Sequence, residues 1–351
     1  MRHRQSGWSR LVTYAFVALA GASISAAAVS PAAAQATLQT IKQRGTLICG
    51  VDPGDPGMAY RDAQGQYKGL DIDYCRAVAA AIFGDANKVK FEPMTAQARF
   101  AALSAGEIDV LIRDSGLVFS RDNSLGLDGA ATNFYAGQGF IVKKSSGIAH
   151  AKDLNGGTLC TTQGSTIEVN TAEYARANHI TIKVLGFQTL DESLKAFLAG
   201  RCDTYSDDNG SIAGVRSSVS NPDDYVILPE IISREPNTSF VRKGDENFEH
   251  IVKWVHLAMV DAEDLGVTSK NVDELRKTTG DDEIKRLLGV EGDLGSQLGL
   301  SKDWAYYIIK QVGNYGESYD ANLGEGSPLK LPRGLNALWR NGGMQYSPQF
   351  R

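Results

Sequence analysis

Three groups of side chains in this sequence have the chemistry needed to bind a small zwitterion. Arg121 offers a planar guanidinium that can hold a carboxylate through two parallel hydrogen bonds. Ser165 and Thr166 begin a predicted helix, where hydroxyls and unpaired backbone N–H groups favour an anion. Asp208 offers a carboxylate to an ammonium. Each group also has an ordinary alternative: a surface arginine, a capping box of Ser165 with Glu168, and a solvated turn aspartate.

An internal repeat connects Asp208 with a second acidic residue. Residues 99–114 align without gaps with residues 193–208, and both segments read as helix, glycine, aspartate, strand and aspartate. Glycine suits the left-handed end of a helix, and the strand that follows carries its last residue to the carboxyl edge of a sheet. Ligands bind at that edge in open α/β sheets, so the repeat predicts that Asp114 and Asp208 face a shared cleft. Chance similarity is the alternative, because this unit is common.

Alternating helices and strands are predicted to position these residues. Short β-prone runs bounded by turn residues alternate with segments whose apolar residues recur at helical spacing. This alternation indicates parallel sheets flanked by helices, the α/β class. The predicted strands are 46–51, 88–91, 108–112 and 158–161, and the predicted helices are 70–83, 96–105, 166–178 and 248–262, with further short helices through Gln311.

The repeat and two extended segments predict two α/β lobes. Residues 137–142 and 238–242 are short, extended and apolar, and we expect them to cross between the lobes. The tail from Pro328 has scattered glycine and proline, which predicts irregular structure. The predicted division is a lobe 1 of residues 37–141 and 238–351, with a C-terminal helical extension, and a lobe 2 of residues 142–237.

The N-terminal segment, residues 1–36, has the layout of a secretory signal peptide. Basic residues precede an apolar run from Leu11 to Ala27, and small residues follow it. A retained membrane anchor is the alternative, but the run is rich in alanine and short for a bilayer crossing of ~20 residues. We therefore expect export to the periplasm, with cleavage near Ala34 or Ala36.

The net charge indicates which partners to exclude, and the cysteine content indicates disulfide bonds. The net charge is −5, and the lysines and arginines are interspersed, so no basic stripe predicts a nucleic-acid partner. Four cysteines in an exported chain favour disulfides over free thiols, and they allow three pairings. Pairing Cys49 with Cys75 and Cys160 with Cys202 would keep one bridge in each lobe. No metal-ligand spacing is present, so we predict neither a metal site nor a cofactor.

Several segments closely resemble the general L-amino-acid-binding periplasmic proteins of polar amino-acid ABC transporters, and the likeness covers essentially the whole mature chain with its four cysteines. The segments are 37–44, 69–73, 75–83, 120–126, 137–140, 228–233 and 332–339. The resemblance implies a type II periplasmic-binding-protein fold, in which two α/β lobes joined by two hinge crossings close on a ligand. It also implies delivery of that ligand to an ABC permease, and we expect a monomer.

The resemblance also assigns roles to the candidate residues. In that family an arginine matching Arg121 grips the α-carboxylate, and hydroxyls matching Ser165 and Thr166 assist from the other lobe. An acid matching Asp208 holds the α-ammonium.

One stretch departs from the family pattern. The family usually reads Asn-Thr-Thr-Trp-Thr where this chain has Asp114-Ser115-Gly116-Leu117-Val118, and the loop around Met58 and Tyr60 lacks the usual phenylalanine. Gly116 replaces a threonine that helps bind the carboxylate. Asp114 adds a negative charge, which predicts a shift toward a cationic or amine-bearing ligand, or a ligand outside the standard amino acids. We include Asp114, Ser115, Gly116, Met58 and Tyr60 among the predicted ligand-binding residues.

Two functions of other classes compete with this prediction. A cleft enzyme on the same scaffold, similar to cyclohexadienyl dehydratase, could use Asp114 as an acid, but no paired His/Glu or Ser/His arrangement accompanies it. A periplasmic sensor domain would need transmembrane and signalling segments that the sequence lacks. The sequence therefore predicts a binding protein and not an enzyme.

Overall fold

The structure is a computed structural model that describes residues 36–351. Residues 1–35, which carry nearly all of the predicted signal peptide and the Ala34 cleavage site, lie outside the described residues. The strands are β1 (Leu47–Val51), β2 (Tyr60–Arg61), β3 (Tyr67–Lys68), β4 (Val89–Pro93), β5 (Val110–Leu111), β6 (Leu127–Ala136), β7 (Gln138–Lys143), β8 (Thr158–Thr162), β9 (Lys183–Phe187), β10 (Thr204–Asp208), β11 (Tyr225–Ile227) and β12 (Glu235–Arg242).

The helices surround these strands and continue after the last of them. They are α1 (Ala36–Arg44), α2 (Leu70–Phe83), α3 (Arg99–Ala105), α4 (Phe119–Ser124), α5 (Ile167–Ala177), α6 (Leu190–Leu198), α7 (Asn209–Ser218), α8 (Glu246–Asp264), α9 (Val272–Thr278), α10 (Asp282–Leu287), α11 (Leu294–Gln297), α12 (Trp304–Gln311) and α13 (Tyr315–Asn322). Within residues 36–351, no helix combines the length and the apolar character that a bilayer crossing requires.

Two five-stranded sheets form the centres of two lobes. Their strand orders are β4-β1-β5-β12-β6 in lobe 1 and β11-β7-β10-β8-β9 in lobe 2. Three neighbouring strands of each sheet pair in parallel, β4, β1 and β5 in lobe 1 and β10, β8 and β9 in lobe 2, as the alternation of helices and strands predicts. Each sheet also has one strand that runs antiparallel to both of its neighbours. It is β12, between β5 and β6, in lobe 1 and β7, between β10 and β11, in lobe 2, and each is the first strand after the chain enters that lobe from the other.

The chain changes lobes at two places. It leaves the first sheet at Gly137, directly between β6 and β7, and it returns through residues 228–234 between β11 and β12. The sequence placed these divisions at residues 141/142 and 237/238. The difference has a simple physical cause, since β7 and β12 are buried extended strands and their apolar pattern is the same whichever sheet they join.

The internal repeat folds into two equivalent units. Gly106 and Gly200 follow α3 and α6 with φ angles of 77° and 78°, in the left-handed region where glycine has no steric penalty. Asp109 and Asp203 stand at matching positions before the next strand. Each carboxylate accepts a hydrogen bond of 2.7 Å from a backbone N–H of the neighbouring parallel strand. The sequence similarity therefore reflects a shared local structure in both lobes.

Each lobe has one disulfide and its own core. Cys49 and Cys75 connect β1 to α2 with Cα atoms 6.1 Å apart, and Cys160 and Cys202 connect β8 to the turn before β10 with Cα atoms 5.7 Å apart. This is the local pairing among the three that the sequence leaves open. The lobe 1 core is the larger one, because α8, α12 and α13 pack on α2 and on each other.

The C-terminal tail packs against the end of β6, next to the first crossing between the lobes. Asn336 accepts a hydrogen bond of 2.7 Å from the backbone N–H of Tyr135 and donates one of 3.1 Å to its carbonyl, so its amide pairs like a short strand with the end of β6. Arg333 forms a two-point ion pair with Glu263 on α8, with both distances 3.1 Å. The tail has little regular structure, as predicted, and these contacts attach it to lobe 1.

Candidate functional site

A cleft lies between the two lobes. Lobe 1 lines it with residues after β1 and β5, from α3 and α4, and at the start of β12. Lobe 2 lines it with the start of α5 and the end of β10. Both groups include carboxyl ends of parallel strands, the edge at which open α/β sheets bind ligands.

Arg121 on α4 presents its guanidinium to this cleft. Its Nη1 donates a hydrogen bond of 2.8 Å to the carbonyl of Gly116, and its Cζ lies 5.1 Å from the ring centre of Phe100. Burial lowers the pKa of Arg121, whereas the nearby carboxylates of Glu235 and Asp208 favour its charged form. The side chain is thus held in place by the protein while it lacks an ion-pair partner among residues 36–351.

Asp208 ends β10 and is 6% exposed. The amide of Asn237 donates a hydrogen bond of 2.9 Å to Asp208 and a second, shorter one to Asp114, so it bridges carboxylates from the two lobes. Burial and repulsion from Asp114 and Asp207 raise the pKa of Asp208 well above its usual value. Burial and repulsion from Asp71 raise the pKa of Asp114 to about 6. An ammonium placed between these carboxyls would favour their ionised forms.

The start of α5 contributes hydroxyls and backbone N–H groups from lobe 2. Ser165 and Thr166 both line the cleft. The Ser165 hydroxyl donates a hydrogen bond of 2.7 Å to the carbonyl of Thr162, and Glu168 accepts one of 3.1 Å from the N–H of Gly164. The capping box of Ser165 with Glu168, the alternative role that the sequence offered, therefore does not form, because the preceding turn uses both side chains. No side chain caps α5, which leaves its N-terminal end available to an anion.

Two further acids give the cleft an excess of carboxyl groups. Asp55 follows β1, is 2% exposed, and accepts a hydrogen bond of 2.7 Å from Ser211 on α7. Burial and repulsion from Asp114 raise the pKa of Asp55 well above its usual value, and they raise the pKa of Asp207 to about 7. Despite this density of carboxyls, no group of His, Cys, Asp and Glu within residues 36–351 is arranged to hold a metal ion.

Two more arginines line the cleft beside Arg121. Arg113 forms an ion pair with Asp52, and its Nε donates a hydrogen bond of 2.9 Å to the carbonyl of Met94. Arg99 on α3 is 2% exposed and has no carboxylate within ion-pair distance among the described residues. The two guanidiniums therefore differ, since one is neutralised by the protein and the other is not.

The residues that the sequence assigned to ligand binding fall into two groups. Those that line the cleft are Arg121, Asp208, Ser165, Thr166, Asp114 and Gly116. The other three, Ser115, Met58 and Tyr60, are not among the residues that line the cleft. The Ser115 hydroxyl is buried and donates a hydrogen bond to the carbonyl of Arg113, Met58 is buried in the core of lobe 1, and Tyr60 lies on β2 in a small hairpin.

Glu235 lies directly against Gly116. A Cβ atom at position 116 would overlap the Glu235 carboxylate, which is 3% exposed. The same carboxylate accepts a hydrogen bond of 2.6 Å from Asn170 on α5. A side chain from the first strand after the return crossing thus occupies the space that a side chain at position 116 would need, and it links the lobes.

Contacts across the cleft show that the lobes are closed on each other. Asn170 contacts Glu235, and Ser211 contacts Asp55, in each case from lobe 2 to lobe 1. Gly214 on α7 lies so close to Pro56 that a Cβ atom would overlap the Pro56 carbonyl. The backbone approach at Gly214 requires the absence of a side chain.

Comparison with known proteins agrees with this geometry. The family model of the bacterial extracellular solute-binding proteins, family 3, matches residues 47–272. The chain belongs to this family. The solute-binding protein is 48% identical over 93% of its length to the glutamate/glutamine/aspartate/asparagine-binding protein of Rhodobacter capsulatus, and the match covers 96% of that relative. It is 45% identical over 94% of its length to the general L-amino acid-binding periplasmic protein of Rhizobium johnstonii, with 97% of that relative covered.

A solved structure extends the comparison to three dimensions. The solute-binding protein matches an ABC transporter periplasmic binding protein from Brucella ovis, solved with glutathione bound, with a TM-score of 0.87 and 50% identity. The match covers 90% of this chain and 99% of the other. The family assignment and the two-lobed type II fold predicted from the sequence are confirmed.

Several cleft residues escaped the sequence analysis. Asp52 and Asp55 follow the carboxyl end of β1 in a Gly/Pro/Asp cluster, just as Asp114 follows the carboxyl end of β5. Because ligands in open α/β sheets bind at the carboxyl ends of strands, the sequence could have predicted both residues as cleft residues. Arg99, Glu235 and Asn237 give no such signal. They lie in a helix and a strand, and only the packing of the two lobes brings them to the cleft.

Proposed function

We propose that this solute-binding protein binds an α-amino acid, or a related small zwitterion, in the cleft and presents the closed form to an ABC permease. The proposal rests on one observation: Arg121 from lobe 1 and Asp208 from lobe 2 line the same cleft. The printed functions of the relatives from Rhodobacter capsulatus and Rhizobium johnstonii support it.

The two ends of the zwitterion have separate partners in this proposal. The guanidinium of Arg121 holds the α-carboxylate, and the uncapped start of α5 with Ser165 and Thr166 contacts it from the other lobe. Asp208 accepts the α-ammonium. Asp114 stands beside Asp208 and adds negative potential at the same end. The charged groups of the ligand would thus pair with fixed protein groups as the lobes close.

Closure would take place at the two crossings. Lobe 1 comprises residues before Gly137 and after residue 234, and lobe 2 comprises the chain between them. Gly137 and the segment 228–234 would absorb the rotation, since few other connections join the sheets. The ligand favours the closed form because it contacts Arg121 and Asp208 at once only there.

The mature protein also needs a compartment and an oligomeric state in which it works. We infer that the signal peptide is removed near Ala34 or Ala36 in the periplasm and that the mature protein acts as a monomer without catalysis. N-terminal sequencing of the exported protein tests the cleavage site, and its mass in solution tests the monomeric state. An assay for turnover of prephenate or arogenate tests the absence of catalysis, and product formation would favour the enzyme alternative.

Isothermal titration calorimetry of the mature protein with a panel of L-amino acids tests the binding function. We expect binding of at least one of them, and we expect Arg121→Ala to weaken it by about 100-fold because a buried carboxylate loses its cation. Arg201→Ala is a matched control, since Arg201 also lies over a phenylalanine ring, that of Phe187, but is exposed and outside the cleft. Failure of the whole panel to bind the wild type would overturn the proposal.

A further inference from the structure

The C-terminal tail, residues 328–351, borders a second space beside the two crossings, which we call the hinge gap. The tail lines one side of the hinge gap with Leu335 and Met344, and the return crossing lines the other with Ile231. Within residues 36–351, the hinge gap and the ligand cleft share only Glu235 among the residues that line them. The crossings therefore separate the two spaces, and a rotation about them that widens the cleft narrows the hinge gap.

The tail side of the hinge gap is fixed to lobe 1. The backbone N–H of Met344 donates a hydrogen bond of 2.8 Å to the carbonyl of Leu335, which holds the two residues together. Asn336 pairs with Tyr135 at the end of β6, and the amide of Gln345 lies 3.0 Å from a histidine nitrogen on α8. In the described part of the chain, no hydrogen bond or ion pair joins the tail to lobe 2. The tail thus moves with lobe 1.

The opposite side of the hinge gap moves with lobe 2. The N–H of Ile232 donates a hydrogen bond of 2.9 Å to the carbonyl of Gln138 on β7, and the N–H of Gln138 donates one of 3.0 Å to the hydroxyl of Ser233. These bonds attach the return crossing to the first strand of lobe 2 and position Ile231. Opening of the lobes carries Ile231 toward the tail, and closure carries it away.

The apolar side chains on the two sides of the hinge gap are about half exposed in this closed form. Ile231 is 52% exposed, Leu335 54% and Met344 50%. Contact between apolar surfaces releases their hydration water and is favourable in proportion to the area removed from solvent. Because these surfaces approach each other only as the gap narrows, the open form gains apolar burial that the closed form lacks.

We propose that Leu335 and Met344 form an apolar seat for Ile231, which ends the opening movement and stabilises the open, unliganded form. A ligand that closes the lobes must separate Ile231 from this seat, so the contact lowers the affinity for every solute that binds in the cleft. The tail sets the balance between the open and closed forms from a position outside the cleft.

Disulfide trapping tests the contact on the mature protein without any ligand. The four native cysteines form two disulfides, so Ile231→Cys with Leu335→Cys adds two free thiols that can pair only with each other. The control is Ile231→Cys with Trp339→Cys, because Trp339 lies in the same tail and is 53% exposed but does not line the hinge gap. We expect the first pair to crosslink at least about tenfold faster than the control pair, since a disulfide requires closely spaced Cα atoms. Equal rates would overturn the seat.

Affinity tests the effect of the seat on closure. We expect Ile231→Ser and Leu335→Ser each to tighten binding of L-glutamate or L-glutamine, whichever the wild type binds, by about three- to tenfold, because only the open form loses apolar contact. Trp339→Ser is the matched control and should leave the affinity unchanged. A role in folding alone would lower the free energy of unfolding and would not tighten binding. Unchanged or weaker binding in both variants would show that Ile231 does not oppose closure.

Small-angle X-ray scattering without ligand separates this inference from the proposed function. We expect unliganded Ile231→Ser to be more compact than the unliganded wild type, because loss of the seat shifts the protein toward the closed form. If no amino acid binds, the proposed function fails, but the crosslinking rates and the unliganded scattering still decide the seat. If amino acids bind and neither measurement differs from its control, the seat is wrong and the proposed function stands.

Discussion

Asp114 and Asp208 approach each other from opposite lobes and accept hydrogen bonds from the same amide, that of Asn237. Both carboxyls are shielded from water. Burial and the charge of Asp114 raise the pKa of Asp208, and burial and the charge of Asp71 raise the pKa of Asp114. Two ionised carboxylates so close together repel each other, so the closed form without an ammonium between them favours a bound proton. A ligand ammonium removes the need for that proton.

Ligand binding should therefore weaken as the pH falls. The ammonium of an amino acid stays charged between pH 5 and 8, but it must replace the proton held by the carboxyl pair. Because burial and neighbouring charge raise the pKa of Asp114 to about 6 and that of Asp208 well above its usual value, we expect affinity to fall by up to about tenfold per pH unit below pH 6. Calorimetry at pH 5, 6, 7 and 8 measures this, and a flat profile would contradict it.

Replacement of Asp114 by asparagine should stabilise the unliganded protein at high pH. The folded state holds a proton on Asp114 up to a pKa of about 6, above the usual value of 3.8, so this group costs stability as the pH rises through that interval. We expect Asp114→Asn to raise the free energy of unfolding by about 1–2 kcal/mol at pH 8 and to leave it unchanged at pH 4. Urea unfolding at both values measures the difference. Asp122→Asn, at an exposed position on α4, is the control that should change neither.

The sequence predicted those parts of the fold that local patterns encode. The helix α2 has the predicted limits, Leu70 and Phe83, because its apolar spacing ends at a glycine in the left-handed region. The repeat correctly indicated that Asp114 and Asp208 face one cleft. Helix α13 was not predicted although Asn314 and Glu317 form a capping box at its start, a signal that the sequence does contain.

Long-range packing determines what the sequence could not predict. The change of lobe at Gly137 depends on which sheet β7 joins, and its own residues suit either sheet. Arg99 and Asn237 reach the cleft through the arrangement of α3 and β12, and Glu235 fills the space beside Gly116 only because the return crossing ends there. Such contacts between distant segments leave no local pattern to recognise.

Removal of the lobe 2 disulfide should destabilise the protein without changing its binding site. Cys160 and Cys202 are separated by 42 residues, and a loop of that size restricts the unfolded chain by about 4 kcal/mol in the entropic account. We expect the Cys160→Ser, Cys202→Ser double variant to lose about 2–4 kcal/mol of unfolding free energy. Thermal unfolding with and without a saturating amino acid measures it. Unchanged stability would show that the bridge adds no constraint to lobe 2.

Closure can be blocked at a single position on α7. Gly214 of lobe 2 contacts the Pro56 carbonyl of lobe 1, and a Cβ atom there would overlap this oxygen. The overlap arises only when the lobes meet, whereas alanine within a helix is favoured over glycine by about 0.5–1 kcal/mol. Gly214→Ala should therefore keep or raise the stability of the unliganded protein and weaken ligand binding by about tenfold or more.

Small-angle X-ray scattering with saturating ligand distinguishes a blocked closure from a damaged site. We expect the wild type to contract on binding and Gly214→Ala to remain extended, because the ligand can still contact one lobe but cannot bring the other against it. Gly280→Ala is the control, since a Cβ atom at Gly280 meets no atom within 4 Å. If Gly214→Ala contracts like the wild type and binds with equal affinity, the two lobes can close without the approach of α7 to Pro56, and the closed geometry proposed for the cleft is wrong.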